Sequence, residues 1–197
     1  MNICETRDSR LSSSKPRSSF WTMVRADLAR FQEDKGGLRN VVRGLASQGF
    51  LAILVYRFFR WFHERGIPTQ PFRFLVERLV EMTTGISIPV EAQIGKGLRI
   101  HHFGGIILHP EVVIGEHCTL YHDVTLGDRG GWGGAPRVGN YVLIGAGAKL
   151  LGSIDIGDRS VIGANAVVLA SVPPDSVAVG VPAVCKPGRS SSRSGRM

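Results

Sequence analysis

Three histidines carry the spacing from which chemistry can be argued. His101 and His102 follow Ile100 directly, and His122 stands 20 residues past His102, in Tyr121-His122-Asp123. An imidazole titrates near pH 6.5, so it can take or give a proton at neutral pH, the service a hydroxyl needs before it can act as a nucleophile. Neighbouring residues of a short strand face opposite ways. His102, following Ile100, is a candidate base or a structural corner histidine. His101, on the other face of the strand, either orients it or the acceptor, or is structural. The 20 residues between His102 and His122 are close to the roughly 18 of one coil built from three hexads, which would place His122 in the same groove; otherwise it is a surface turn histidine. His109 and His117 are weaker candidates. The sequence shows no metal-ligand spacing, no phosphate-cradling Gly-x-x-x-x-Gly-Lys and no Ser-His-Asp arrangement.

The histidine pair sits inside a repeat. From Ile88 to Val168 an aliphatic residue recurs every six positions: Ile88, Ile94, Ile100 and Ile106, then after a two-residue slip Ile114, Leu120 and Leu126, then Val138, Ile144, Leu150, Ile156, Ile162 and Val168. Glycine often follows the aliphatic, and a small residue such as Ala92, Cys118, Ala148, Ser160 or Ala166 stands two positions before it. A period of six fits neither a helix nor an alternating strand. It predicts a parallel β-helix in which three hexads make one triangular coil and the aliphatics stack into one core. The array is interrupted by Asp128–Arg137, a Gly-rich stretch with Trp132 at its centre, which predicts a protruding loop.

Ahead of the array the spacing predicts helices. Phe20–Gln32 places Phe20, Val24, Leu28 and Phe31 on one face. A second helical region runs from about Leu38 to His63, ending in the apolar run Phe50–Phe62 that Arg57 and Arg60 interrupt. That run is too short to span a bilayer, which takes about 20 residues. It is either buried against protein or lies in the plane of a membrane surface. Pro71–Met82 predicts a third helix with Phe72, Leu75, Val76, Leu79 and Val80 inward. The expected organisation is a disordered tail (1–19), a helical domain (20–85), the β-helix (86–186) and a basic disordered tail (187–197).

Composition narrows the function classes. The chain has 197 residues, 43% hydrophobic and 20% charged, with a formal charge of +8. Residues 1–17 hold four basic residues against two acidic ones, and residues 186–197 hold four basic residues and no acid, so six of the eight net charges fall in the Ser/Arg-rich ends. The folded part offers no basic and aromatic platform, so nucleic acid is not an expected partner. Three scattered cysteines and no signal sequence point to a reducing cytoplasm, with the inner membrane face as a second location.

Ile-His-His-x-x-Gly-Ile, Val-Thr-Leu-Gly, Ile-Gly-Ala-Gly-Ala-Lys-Leu-Leu-Gly, Val-Ile-Gly-Ala-Asn-Ala-Val-Val-Leu, Val-Pro-Pro-Asp and Ala-Val-Gly-Val-Pro-Ala together resemble the serine O-acetyltransferase group of hexapeptide-repeat acyltransferases. Gly49-Phe50-x-Ala52-x-x-x-Tyr56-Arg57 resembles part of that group's helical domain. The resemblance implies a left-handed β-helix that forms a homotrimer, with trimers able to pair as hexamers, and acetyl-CoA bound between neighbouring subunits without a metal. It gives His102 the role of catalytic base and Asp34 that of a serine contact. It places the coenzyme along Gly127, Ala146, Gly147 and Ala164, with Lys149 or Lys186 near its phosphates.

Three positions depart from the group's pattern. The aspartate that orients the base falls at Ser87, the acidic residue before the base is His101, and the Arg-His pair that holds the serine carboxylate falls at Gly134-Ala135. A carboxylate drawn from water needs cationic or N–H donors. The departures therefore favour a sugar hydroxyl of a surface polysaccharide as acceptor, as in proteins resembling colanic acid acetyltransferases. Serine, for cysteine biosynthesis, is the alternative, and a non-catalytic trimeric scaffold is a second one. The terminal Ser-Ser-Ser-Arg-Ser-Gly-Arg-Met lacks the aliphatic tail by which the group engages cysteine synthase, so that partner is not expected.

Overall fold

The computed structural model describes residues 19–32, 47–102, 104–130 and 133–188. Among them the chain forms three helices, α1 (Phe20–Gln32), α2 (Gln48–His63) and α3 (Phe72–Thr84), followed by strands β1 to β15 in chain order. The strands stack into three parallel sheets. Sheet A holds β1 (Ile86–Ser87), β4 (Ile106–Leu108), β7 (Thr125–Gly127), β10 (Lys149–Leu151) and β13 (Val167–Val168). Sheet B holds β2 (Gln93–Ile94), β5 (Val113–Ile114), β8 (Arg137–Val138) and β11 (Asp155–Ile156). Sheet C holds β3 (Arg99–Ile100), β6 (Thr119–Leu120), β9 (Leu143–Ile144), β12 (Val161–Ile162) and β14 (Ser176–Val179), and ends in the antiparallel β15 (Val184–Pro187).

The chain is thus a parallel β-helix behind a few helices. Its core is the stack of hexad aliphatics: Ile94, Ile114, Val138 and Ile156 on sheet B, and Ile100, Leu120, Ile144 and Ile162 on sheet C, all buried. Each such side chain contributes about 1.5–3 kcal/mol on leaving water. The small residues expected at corners, Ala92, Cys118, Ala148, Ser160 and Ala166, are all fully enclosed. The glycines let the coils close up: a Cβ on Gly115 would stand 2.5 Å from the Gly139 carbonyl oxygen.

Ile100 pairs with Leu120, Leu120 with Ile144 and Ile144 with Ile162, so successive coils advance by 20, 24 and 18 residues. The long step is the 128–136 loop. The step of 20 corrects the expected slip after Ile106. Leu108 stacks on Leu126, while Ile106 pairs with Ile86. The two extra residues therefore lie before Leu108, in the segment that carries the histidine pair. Both Ile106 and Leu108 point inward, with Ile107 out, so the six-residue count alone could not choose between them. Ile88, expected inward, is half-buried against the core edge.

Each coil donates its N–H groups to carbonyls of the next, as Gly95 does to Ile114 and Gly115 to Val138. The carbonyls of the first coil have no coil before them. Helix α2 satisfies them instead: Tyr56 Oη donates to Ala92 O (2.7 Å), Arg57 to Ile94 O and Gly95 O (2.6 Å each), and Arg60 to Val90 O (3.0 Å). A charged donor to a carbonyl is worth about 1.5–3 kcal/mol. Arg57 is itself held by the buried Asp27 of α1, which also accepts from the amides of Gly97 and Leu98 at 2.7 and 2.9 Å. Burial pushes the Asp27 carboxyl above its ordinary range, opposed by the Arg57 guanidinium and the two amides.

This packing buries Phe50, Ile53, Tyr56 and Phe59 of the Phe50–Phe62 run, while Leu51 and Phe58 stay exposed. Helix α3 differs from expectation. Val80 packs against the core, but Phe72, Leu75 and Leu79 are 63%, 67% and 60% exposed. The apolar positions of α3 circle more of the helix than its packing against β1 and α2 covers. Among the described residues no helix is long and apolar enough to cross a membrane, and no three His, Cys, Asp or Glu are placed to hold a metal ion. The part of the second helical region expected before Ser47, Trp132, and residues 1–18 and 189–197 of the tails lie outside the described residues. Pro187 and Gly188, expected in the basic tail, instead belong to the hairpin, Pro187 opposite Ser176 and Gly188 N donating to Asp175 O (2.9 Å).

Candidate active site

The site grows from the corner where sheet C turns into sheet A. Because Ile100 and Leu120 are in register, the residues after them are brought one above the other. The His101 amide donates to Leu120 O (2.8 Å), and the His101 ring stacks on Tyr121 with centroids 4.9 Å apart. His102 meets His122 edge to face, centroids 5.7 Å apart, and both are exposed. The sequence spacing that left His122 open between groove and surface turn places it beside His102.

The two extra residues make this corner a bulge. His102, Gly104 and Gly105 have φ of 65°, 96° and 68°, so the chain swings out before re-entering sheet A at Ile106. The bulge is braced from both sides. Ile106 N donates to Gly85 O (3.1 Å) at the end of α3, and Asp123 N donates to Gly104 O (2.9 Å) in the next coil. The amides of Gly104 and Gly105 donate to no acceptor among the described residues. Behind the pair, α2 begins against Ile100: a Cβ on Gly49 would stand 3.0 Å from Ile100 Cβ, so only glycine lets the helix approach this closely.

Below the histidines the same corner continues as small residues. Gly147 N donates to His122 O (3.0 Å) and Asn165 N to Ala146 O (2.7 Å), so His122, Ala146 and Ala164 descend one above another, with Asp123, Gly147 and Asn165 beside them. The structure therefore unites His102, His122, Ala146, Gly147 and Ala164 on one edge. The edge offers imidazoles at its head and a trough without long side chains beneath.

Other expected residues do not join it. Gly127 ends β7, across sheet A from the histidines, and pairs with Leu151. Lys186 lies exposed on β15 opposite Val177, on the outer strand of sheet C. Lys149 is engaged by Asp123, donating to its carbonyl at 2.7 Å and its carboxylate at 2.9 Å. Ser87 projects from β1 beside α3, and its hydroxyl makes no hydrogen bond among the described residues. Asp34 lies outside the described residues. At the loop, Ala135 is buried in the core and Gly134 packs on Ser153. Arg137, whose direction the sequence left open, stands exposed on sheet B between Val113 and Asp155. His117 stacks on Tyr141 (5.1 Å) and His109 Nδ1 accepts from Glu111 N, both away from this edge.

Asp27 is the residue the sequence reading missed. A lone acid in an amphipathic helix reads as solvated; the signal was Arg57 in the middle of an apolar run, which needs a buried counter-charge.

A hexapeptide-built β-helix with a histidine pair at the head of a small-residue edge defines a hexapeptide-repeat transferase. The profile for bacterial transferase hexapeptide (six repeats) matches residues 135–170. Serine acetyltransferase of Helicobacter pylori is 42% identical over 154 residues, 76% of this chain and 87% of that protein. Serine acetyltransferase of Synechococcus elongatus is 36% identical over 154 residues, 77% of this chain, which spans only 62% of the relative's length. Among solved structures, serine acetyltransferase of Brucella abortus in complex with coenzyme A superposes with a TM-score of 0.78 at 31% identity, covering 87% of this chain and 69% of that one. The chain belongs to the serine acetyltransferase family, and with it to the acyltransferases.

Proposed function

We propose that this protein transfers the acetyl group of acetyl-CoA to the hydroxyl of L-serine. The observation that carries the reading is the His102–His122 pair heading the Ala146–Ala164 edge, in a chain whose relatives are serine acetyltransferases. Serine replaces the sugar hydroxyl expected from Ser87 and Gly134-Ala135. Those departures remove particular side chains, whereas kinship over most of the chain supports the whole serine-acetylating scaffold.

His102 takes the proton of the serine hydroxyl as its oxygen attacks the thioester carbonyl carbon. The tetrahedral oxyanion is stabilised by backbone donors, and the unengaged Gly104 and Gly105 amides beside His102 are the nearest in sequence. The C–S bond then breaks, and the proton passes from the imidazole to the departing sulfur, giving O-acetylserine and coenzyme A. His122, edge-on to His102, restricts the ring. His101 is held by its stack on Tyr121 and serves to position its neighbour. The trough of Ala146, Gly147 and Ala164 has room and backbone for the amide-rich pantetheine arm. We place the complete site between neighbouring copies of a trimer, because His102 and His122 precede the strands of sheet A whereas residues 128–130 follow them, on the opposite side of the sheet face in one chain.

The test is release of free coenzyme A from acetyl-CoA with L-serine, against the same assay with sugar and oligosaccharide acceptors. Turnover with serine at 1–10³ s⁻¹ is expected. Turnover confined to saccharides would overturn the reading, and none with any acceptor would return the scaffold alternative.

A further inference from the structure

A second built feature stands on the opposite side of the sheet A face. Arg129, Gly133, Gly152 and Ser153 line an open cleft of about 420 Å³. Arg129 makes no ion pair or hydrogen bond among the described residues, and neither does the Ser153 hydroxyl. Both lie against glycines. The Arg129 stem lies across Gly152, where a Cβ would stand 2.6 Å from its Cδ, and Gly152 has φ of 93°. A Cβ on Gly134 would stand 2.7 Å from Ser153 Cβ. Gly152 N donates to Gly127 O (2.9 Å), which fixes the cleft floor to the end of β7.

A guanidinium with no protein acceptor, its stem seated in a glycine slot and a hydroxyl beside it, matches an oxyanion that accepts two or more hydrogen bonds. We propose that the Arg129–Ser153 cleft is an oxyanion subsite, with Arg129 supplying the cation that Gly134-Ala135 does not. Both substrates of the proposed reaction, on which this inference rests, bring such a group: the carboxylate of the amino-acid acceptor and the phosphates of the coenzyme. His122 stands before the corner at Asp123 and Arg129 beyond the far end of β7, so the strand face lies between them. The three residues of β7 alone rise about 10 Å, more than a serine molecule spans. In the carboxylate case Arg129 therefore serves the His102 of a neighbouring copy.

Calorimetric titration of L-serine, coenzyme A and inorganic phosphate into the wild-type protein and Arg129→Gln separates these cases without turnover. Arg129 is exposed, so the substitution leaves folding intact. Arg129→Gln is expected to weaken serine or coenzyme A about tenfold or more, and Ser153→Ala to weaken the same ligand less. Loss for serine, with serinamide binding both proteins alike, assigns the carboxylate. Loss for coenzyme A, with pantetheine binding both alike, assigns the phosphates. Coenzyme A or phosphate binding that depends on Arg129 in a protein that ignores serine keeps the subsite and removes the serine reading. Unchanged binding of all three ligands, or none to the wild type, overturns the proposal even if serine is acetylated.

Discussion

Two corners of the same coil are built on one backbone plan and finished differently. Between sheets B and C the left-handed corner residues answer one another: His117 stacks on Tyr141, Arg159 pairs with Asp175, and Asn140 accepts from the Glu116 amide while its own amide donates to Asp158. These side chains meet partners one coil away. Between sheets C and A, His102 and His122 are followed in register by Ala146 and Ala164, with left-handed positions at Asp123, Gly147 and Asn165, of which Asp123 is tied to Lys149. A corner whose side chains satisfy each other holds coils together. A corner that pairs two exposed imidazoles above small residues leaves an edge for something else to fill.

That contrast can be broken from either side. Replacing His102 by Ala should lower kcat by about 10²–10⁴ with the thermal midpoint unchanged, since the ring is exposed and in no core contact; a fall in stability of similar size would make it a structural histidine. Ala164→Phe, filling the exposed trough, should raise the KM for acetyl-CoA about tenfold, a cost of about 1.4 kcal/mol, and leave serine's KM alone. His117→Ala should behave in the opposite way, with a loss of about 1 kcal/mol in chemical denaturation from the broken stack and unaltered kinetics. The smallest effect concerns Cys118, which faces inward at the closed corner. Burial pushes its thiol up to about 11 from 9.0, so it should resist alkylation at pH 8 while the exposed Cys185 reacts, as read by peptide mass. Because the folded thiol titrates above the unfolded one, its contribution to stability is full below pH 9 and is lost as pH rises through about 11. Cys118→Ala should remove that slope.

Most of the fold was legible because a six-residue period admits few architectures, and the aliphatics that set it stack as the count requires. It failed where two solutions satisfied the same rule. Ile106 and Leu108 are both inward by alternation, so the insertion was displaced from the histidine bulge to the strand after it. It failed again on α3, where apolar spacing identifies a face but not what covers it. Of the candidate site, His102, His122 and the Ala/Gly edge were legible because coil register follows from the repeat. Gly127 and Lys186 were carried by resemblance alone, and the register separates them from that edge. Arg129 gave no signal, because a loop arginine acquires meaning only when Gly152 and Gly134 are seen to make room for its surroundings.

The side chains of α2 that reach the first coil have a consequence beyond stability. A stack of identical rungs has no intrinsic length, and its bare ends are templates on which another chain's strands can grow. Here one end is occupied by Tyr56, Arg57 and Arg60, which take the carbonyls a further rung would need. The other turns back on itself, since β15 runs against β14 and finishes at Lys186-Pro187. The helical segment is thus a stopper as much as a domain: it sets where counting begins, and the hairpin sets where it ends, so copies can associate side by side without joining end to end into fibres.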